Sequence, residues 1–245
     1  LSERLGDRGV LADYLTLASG YGRESSSGVL EELTERLAFI RQYLTTDATR
    51  GAFEAFTRRL LAPSFAGLGF ASRPPDTDDQ RQLRAALVSA LGFPGGDDGV
   101  VSAARAALDR APSGAEALDP TLARSIVSVA AAHGDRSLYD ALDAAASRAT
   151  SPDERERDFY AAADFRDPAL IGRGLARALT PDVRTQDTAL YLAAFFDNPV
   201  ARPIAWSFVK QHWTALEPKI GIFGGDTRLI GSLASFCDAG TRDDI

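Results

Sequence analysis

The chain has 245 residues, 45% of them hydrophobic, and a formal net charge of −7. That length holds one large or two modest domains, with ample apolar material for a continuous core. A balance of 27 Lys+Arg against 34 Asp+Glu, with no basic stripe, excludes an electrostatic nucleic-acid binder. No apolar run approaches the roughly 18 residues of a bilayer span, so no membrane partner is expected either. Ala and Leu dominate over Val and Ile, and both lose little side-chain freedom in a helix. The expected fold class is all-α.

The first clear element is a stripe of Leu30, Leu33, Leu37, Ile40 and Leu44 at helical spacing. The segment from Phe70 to Asp79 reads as a loop ending in a helix cap. Leu83, Leu87 and Leu91 mark the next helix, and Gly92 to Gly99 reads as a turn between helices. From there the punctuation becomes regular. Asp119-Pro120, Ser151-Pro152, Asp167-Pro168, Thr180-Pro181 and Asn198-Pro199 each place a capping side chain before proline, which loses nothing at the first helical position. Glu154, three residues after Ser151, predicts a capping box. Starts this close leave room for short helices of roughly 11 to 16 residues.

The last of these segments carries Ile204, Ala205, Phe208, Val209 and Leu216 on one side, with Trp206 and Trp213 adding a second apolar flank. So wide an arc predicts burial on two sides. Pro203 removes a backbone bond, which moves the expected start of regular helix from Pro199 to near Pro203. Pro168 and Pro199 stand 31 residues apart in similar settings, AxFRDPA and AFFDNPV, with a looser copy at Ala131 to Ser137. Repetition at this period belongs to stacked helix pairs, and about twelve helices, or six pairs, are expected.

Chemistry-bearing residues are few. Zinc hydrolysis requires converging ligands, typically two His at i, i+4. The two histidines, His133 and His212, have no such partner; the first suits a helix C-terminus and the second suits packing. The single cysteine, Cys237, excludes an intramolecular disulfide framework and reads as a small buried apolar group. The redox compartment stays open, with cytoplasm the working expectation. Gly92 to Gly99 and Gly221 to Asp226 lack the Lys-Ser/Thr of a phosphate loop. Asp76, Asp78 and Asp79 lack the glycine and distal Glu of a calcium loop, and favour a helix N-terminus instead. Arg184-Thr185-Gln186-Asp187, at the expected start of the Thr180-Pro181 helix, is the notable polar group. Arg184 either pairs with Asp187 at i, i+3 or offers its planar fork of donors to a carboxylate.

Taken in order, Leu118-Asp-Pro120, Ala132-His-Gly-Asp135 with Tyr139-Asp140, Ser151 to Arg155, Phe165 to Leu170, Val183 to Asp187, and Asn198-Pro199 with Ala205-Trp206 and Trp213 resemble the C-terminal helical domain of aminopeptidase N type zinc metallopeptidases. The resemblance covers most of the chain and is densest from Asp119 to Leu216. It implies a superhelix of HEAT- or armadillo-like pairs closing over a catalytic domain and shaping a peptide cavity. It also implies that zinc and the HExxH motif reside in that other domain, since neither motif nor catalytic residue can be carried onto this chain. Arg184, Gln186 and Asp187 become the candidate peptide-binding residues. Pro203 departs from the helix-compatible residue more usual there. Leu1 opens the chain and Met is absent throughout, so residues 1–245 are expected to be one helical-repeat domain cut from a longer polypeptide. Its expected partners are the catalytic domain of the same polypeptide and peptide substrates. The alternative is a free-standing helical-repeat scaffold that binds a protein partner.

Overall fold

The computed structural model describes residues 8–111, 118–221, 224–236 and 244. Thirteen α-helices and no strand occur among the described residues, in accord with the all-α expectation. Cys237, and Ile222 and Phe223 of the glycine-containing segment Gly221 to Asp226, lie outside the described residues. Two compact units divide the chain between Ala130 and Ala131.

In the first unit, α1 (Arg8–Ala18) precedes α2 (Ser27–Phe39), which continues into a π-helical turn at Ile40–Leu44. Then come α3 (Asp47–Leu68), α4 (Asp78–Gly92), α5 (Asp98–Arg110) and α6 (Pro120–Ala132), the last ending at the boundary. Helix α4 is central, packing on α2, α3 and α5. The two leucine stripes meet there as their spacing demands: Leu30, Leu33, Leu37, Ile40, Leu83, Leu87 and Leu91 are all buried. Each such side chain contributes about 1.5–3 kcal/mol relative to leaving it in water.

The loop before α4 ends in a full capping box. Thr77 accepts from the Gln80 backbone N–H at 3.3 Å, and the Gln80 side chain accepts from the Thr77 N–H at 2.9 Å. Asp78 and Asp79 sit in the first turn, where their charge suits the helix dipole. Asp76 behaves differently. It is buried and forms a 2.8 Å ion pair with Arg84, whose side chain has no exposed surface. Arg84 also donates to the carbonyls of Gly69 (3.1 Å) and Leu68 (3.2 Å), so one guanidinium secures the whole loop.

The second unit contains α7 (Arg136–Arg148), α8 (Pro152–Tyr160), α9 (Pro168–Ala176), α10 (Thr188–Asp197), α11 (Arg202–Gln211), α12 (Trp213–Ile220) and α13 (Gly225–Ser232). Helix α10 is its hub, in contact with α9, α11, α12 and α13. Seven of its residues, Thr188, Ala189, Tyr191, Leu192, Ala193, Phe195 and Phe196, are buried. Gly174 of α9 lets α10 approach closely: a Cβ there would stand 2.9 Å from the Phe195 ring. Tyr191 donates its buried hydroxyl to the Gly174 carbonyl at 2.9 Å.

The 31-residue echo has a structural counterpart. The Asp167 carboxylate accepts from the N–H groups of Ala169 (2.7 Å) and Leu170 (3.3 Å), and the Asn198 side-chain oxygen accepts from Val200 (3.0 Å) and Ala201 (3.4 Å). The Asn198 amide nitrogen then reaches back to the carbonyls of Ala163 and Phe165, both at 2.8 Å. One side chain thus closes the turn that precedes its helix at Arg202 and ties that turn to the segment before Pro168. Asp119 caps α6 in the same manner, through Thr121 and Leu122.

Four expectations need correction. Ser151 precedes Pro152 of α8 but makes no side-chain cap bond, so the capping box is absent and proline alone sets the start. Thr180 caps no α-helix: its hydroxyl donates to the Arg177 carbonyl (3.0 Å) and accepts from the Asp182 N–H (3.2 Å), forming a turn. The tryptophan-bearing segment is two helices. Regular helix begins at Arg202, beside Pro203 as expected, but His212 at φ −110°, ψ 17° breaks it, adding a helix to the expected twelve or so. That break also narrows the apolar arc: Ala205, Val209 and Leu216 are buried, whereas Trp213 is 44% exposed and Trp206 half-buried.

Candidate functional site

The Arg184-Thr185-Gln186-Asp187 group occupies a 3-10 turn (Thr185–Asp187) directly before α10, after the Thr180 turn rather than inside a helix. Lys219 of α12 fixes the approach to it. Its ammonium donates to the carbonyls of Ala178 (2.7 Å), Thr180 (3.2 Å) and Val183 (3.3 Å), and burial lowers its pKa. Within the turn the Asp187 N–H donates to the Arg184 carbonyl at 2.9 Å, and the Thr188 hydroxyl donates to the same oxygen at 3.1 Å.

The local i, i+3 ion pair is present, Arg184 Nε to Asp187 Oδ2 at 2.5 Å. It uses only Nε. The two terminal nitrogens of Arg184 have no hydrogen-bond partner among the described residues, and the side chain is 71% exposed. Gln186 is exposed beside it. The pair therefore orients the fork without occupying its outer edge, so the two readings of Arg184 are compatible.

Tyr160 at the end of α8, Glu156 one turn earlier and Arg228 of α13 complete the group; none is apparent from the sequence. Burial, followed by the charges of Asp187 and Glu156, pushes the Tyr160 hydroxyl up to about 12, while Arg184 and Arg228 pull it down. The hydroxyl is therefore a neutral donor across the physiological range. Arg184, Arg228, Tyr160 and Gln186 together offer hydrogen-bond donors suited to a carboxylate or a peptide carbonyl. They include no nucleophile beside a general base.

The histidines are elsewhere. The His212 ring packs on Phe208 with centroids 4.5 Å apart, and His133 lies exposed in the turn between α6 and α7. Among the described residues no three His, Cys, Asp or Glu side chains come together to hold a metal ion. No helix among them is long and apolar enough to cross a membrane.

An all-helical chain with this motif order is of a recognisable class. The family model of the ERAP1-like C-terminal domain matches residues 8–245, and the chain belongs to that family. It is 23% identical over 202 residues to aminopeptidase 2 of Candida albicans, covering 81% of this chain and 22% of that protein. It is 28% identical over 116 residues to a protein named probable aminopeptidase 2 in Sulfurisphaera tokodaii, covering 47% of this chain and 14% of that protein. The chain thus corresponds to the C-terminal helical domain of aminopeptidase-like proteins and spans less than a quarter of these relatives' lengths.

Proposed function

We propose that this chain is the non-catalytic helical domain of a zinc aminopeptidase, closing over a catalytic domain and shaping the cavity that holds the peptide. The observation that carries the reading is the family match over residues 8–245. Zinc, in this reading, is held by the catalytic domain, where it would polarise the scissile carbonyl and acidify a bound water. The stacking of helix pairs into a superhelix with a concave, peptide-facing side is part of the same proposal. Arg184, Gln186 and Asp187 belong to that face: Asp187 holds the Arg184 fork in place, and Arg184 and Gln186 present donors to the peptide.

Two measurements test this. The purified chain should bind no stoichiometric zinc and cleave no aminoacyl-anilide; metal-dependent turnover by the pure chain would overturn the reading. The reading frame upstream of Leu1 should encode an HExxH segment. A start codon near Leu1 would favour the free-standing scaffold instead. In the joined protein, Arg184→Gln should raise KM for peptides severalfold and leave kcat for aminoacyl-anilides unchanged, because a short substrate never reaches this surface.

A further inference from the structure

The connection between α9 and α10 is short of hydrogen-bond donors. Ala178 and Val183 are buried, and buried carbonyls need a partner. Pro181 supplies no N–H three residues after Ala178, and the Asp182 N–H is already spent on the Thr180 hydroxyl. No turn or loop N–H among the described residues donates to the carbonyls of Ala178, Thr180 or Val183. All three oxygens converge on one nitrogen instead, Lys219 Nζ, at 2.7, 3.2 and 3.3 Å.

Lys219 stands in the last turn of α12, where a lysine ordinarily serves the carbonyls and dipole of its own helix. Here it turns away, to oxygens 36 to 41 residues earlier in the chain. The match is complete in number, since an ammonium has three N–H donors around one point and no acceptor. A guanidinium would not serve, because its donors lie in one plane on separate nitrogens. The Val183 carbonyl shares a rigid peptide plane with the Arg184 nitrogen, so holding that oxygen fixes where Arg184 begins. From there the geometry is local. The Arg184 carbonyl accepts from the Asp187 N–H (2.9 Å) and the Thr188 hydroxyl (3.1 Å), and its Nε donates to the Asp187 carboxylate.

We propose that Lys219 is the positioning residue of the Arg184 surface: the three carbonyls form a binding site for a primary ammonium, and an ammonium in that site, tethered or free, sets the direction of the Arg184 fork. The consequence for peptides rests on the peptide-facing role proposed above; the control of Arg184 by the ammonium does not.

The test uses Lys219→Ala in the 15N-labelled full chain. That variant lacks the side chain beyond Cβ, which n-propylammonium replaces atom for atom. It should shift the Arg184 Nε–Hε signal and speed exchange of the Asp187 amide severalfold, while the amides of Leu192 and Phe195 in α10 keep native protection and show that the unit is folded. n-Propylammonium chloride should restore both readouts saturably. Tetramethylammonium chloride at equal ionic strength, a cation without N–H donors, should restore neither. Should Lys219→Ala unfold, Lys219→Arg decides: it retains the charge, but its planar fork does not converge on three carbonyls, so the Arg184 signal should still depart from native. In the joined protein, Lys219→Ala should raise KM for peptides severalfold, leave kcat for aminoacyl-anilides unchanged, and recover the lower KM with n-propylammonium. A moved Arg184 signal with an unmoved KM would remove the peptide role of this surface and leave the Lys219 assignment in place. Native Arg184 and Asp187 readouts in either variant, or equal rescue by the two cations, would overturn the proposal.

Discussion

Arg84 has no exposed side-chain surface, and its charge is answered by one carboxylate and two carbonyls from the loop before its own helix. Removing one partner of such a pair leaves the other buried and uncompensated, which is worse than never having had the pair. Arg84→Ala should therefore cost about 3–5 kcal/mol in denaturant unfolding. The pH dependence has a definite sign. The backbone N–H of Arg73, and then Arg84, hold the Asp76 carboxyl below its ordinary value. Its stabilisation is thus fully present above the ordinary Asp range near pH 4 and disappears as pH falls through the lowered value. Denaturant midpoints between pH 5 and 2 should fall more steeply for the native chain than for Asp76→Asn. None of this was legible in the sequence. Arg84 sits beside the Leu83, Leu87, Leu91 stripe like any flanking polar residue, and Asp76 resembles its neighbours Asp78 and Asp79. Only the loop's path separates their fates. The candidate site divides on the same line: the Arg184–Asp187 pair is local and readable, whereas Tyr160 and Arg228 arrive from other helices.

At the scale of elements, the caps read from the sequence form at Asp119 and Asp167 but not at Ser151, which makes no cap bond. Asp119, Asp167 and Asn198 all bond the N–H groups two and three positions on. No cap forms at Thr180 either, where the Lys219 ammonium gathers the carbonyls of Ala178, Thr180 and Val183 into a turn before any helix can form. That donor lies too far along the chain for any local pattern to register. The break at His212 was hidden for a related reason, since Trp206 and Trp213 fit a single helical face on paper. Asn198 has two roles, one for its oxygen and one for its amide nitrogen. Asn198→Asp keeps the oxygen that accepts from Val200 and Ala201, loses the bonds to Ala163 and Phe165 and sets a carboxylate oxygen against those carbonyls. Two carbonyls left with one donor fewer should cost about 1–3 kcal/mol. Asn198→Ala loses the turn bonds to Val200 and Ala201 as well, and should cost about 1–3 kcal/mol in all. Urea unfolding of the native chain and the two variants gives both numbers directly.

Across the whole molecule, the all-helical class followed from composition, because Ala and Leu carry a strong preference that no opposing β-pattern contradicts. The aromatic residues supply a collective property that composition alone does not reveal. Burial is the leading cause of a raised pKa at Tyr14, Tyr139, Tyr160 and Tyr191 alike. A folded chain that keeps these protons longer than an unfolded one loses stability as pH rises above about 10, the ordinary tyrosine value. Unfolding midpoints should therefore drop between pH 10 and 12. Tyr160→Phe, which removes the group pushed up to about 12, should blunt the drop. Absorbance at the phenolate band, recorded in parallel, separates titration of the folded chain from unfolding.

Helix α10 shows outward only through Leu190, Ala194 and Asp197, one position per turn. For a saturation library this predicts an unusually narrow band of permitted codons. Those three sites should accept polar and charged replacements freely, while the seven between them admit little beyond close relatives in size. The band also marks where a fluorophore or crosslinker can be attached to the middle of this unit without dismantling it. A label at position 194 would report from its hub, and one at 192 or 195 would report from a denatured chain.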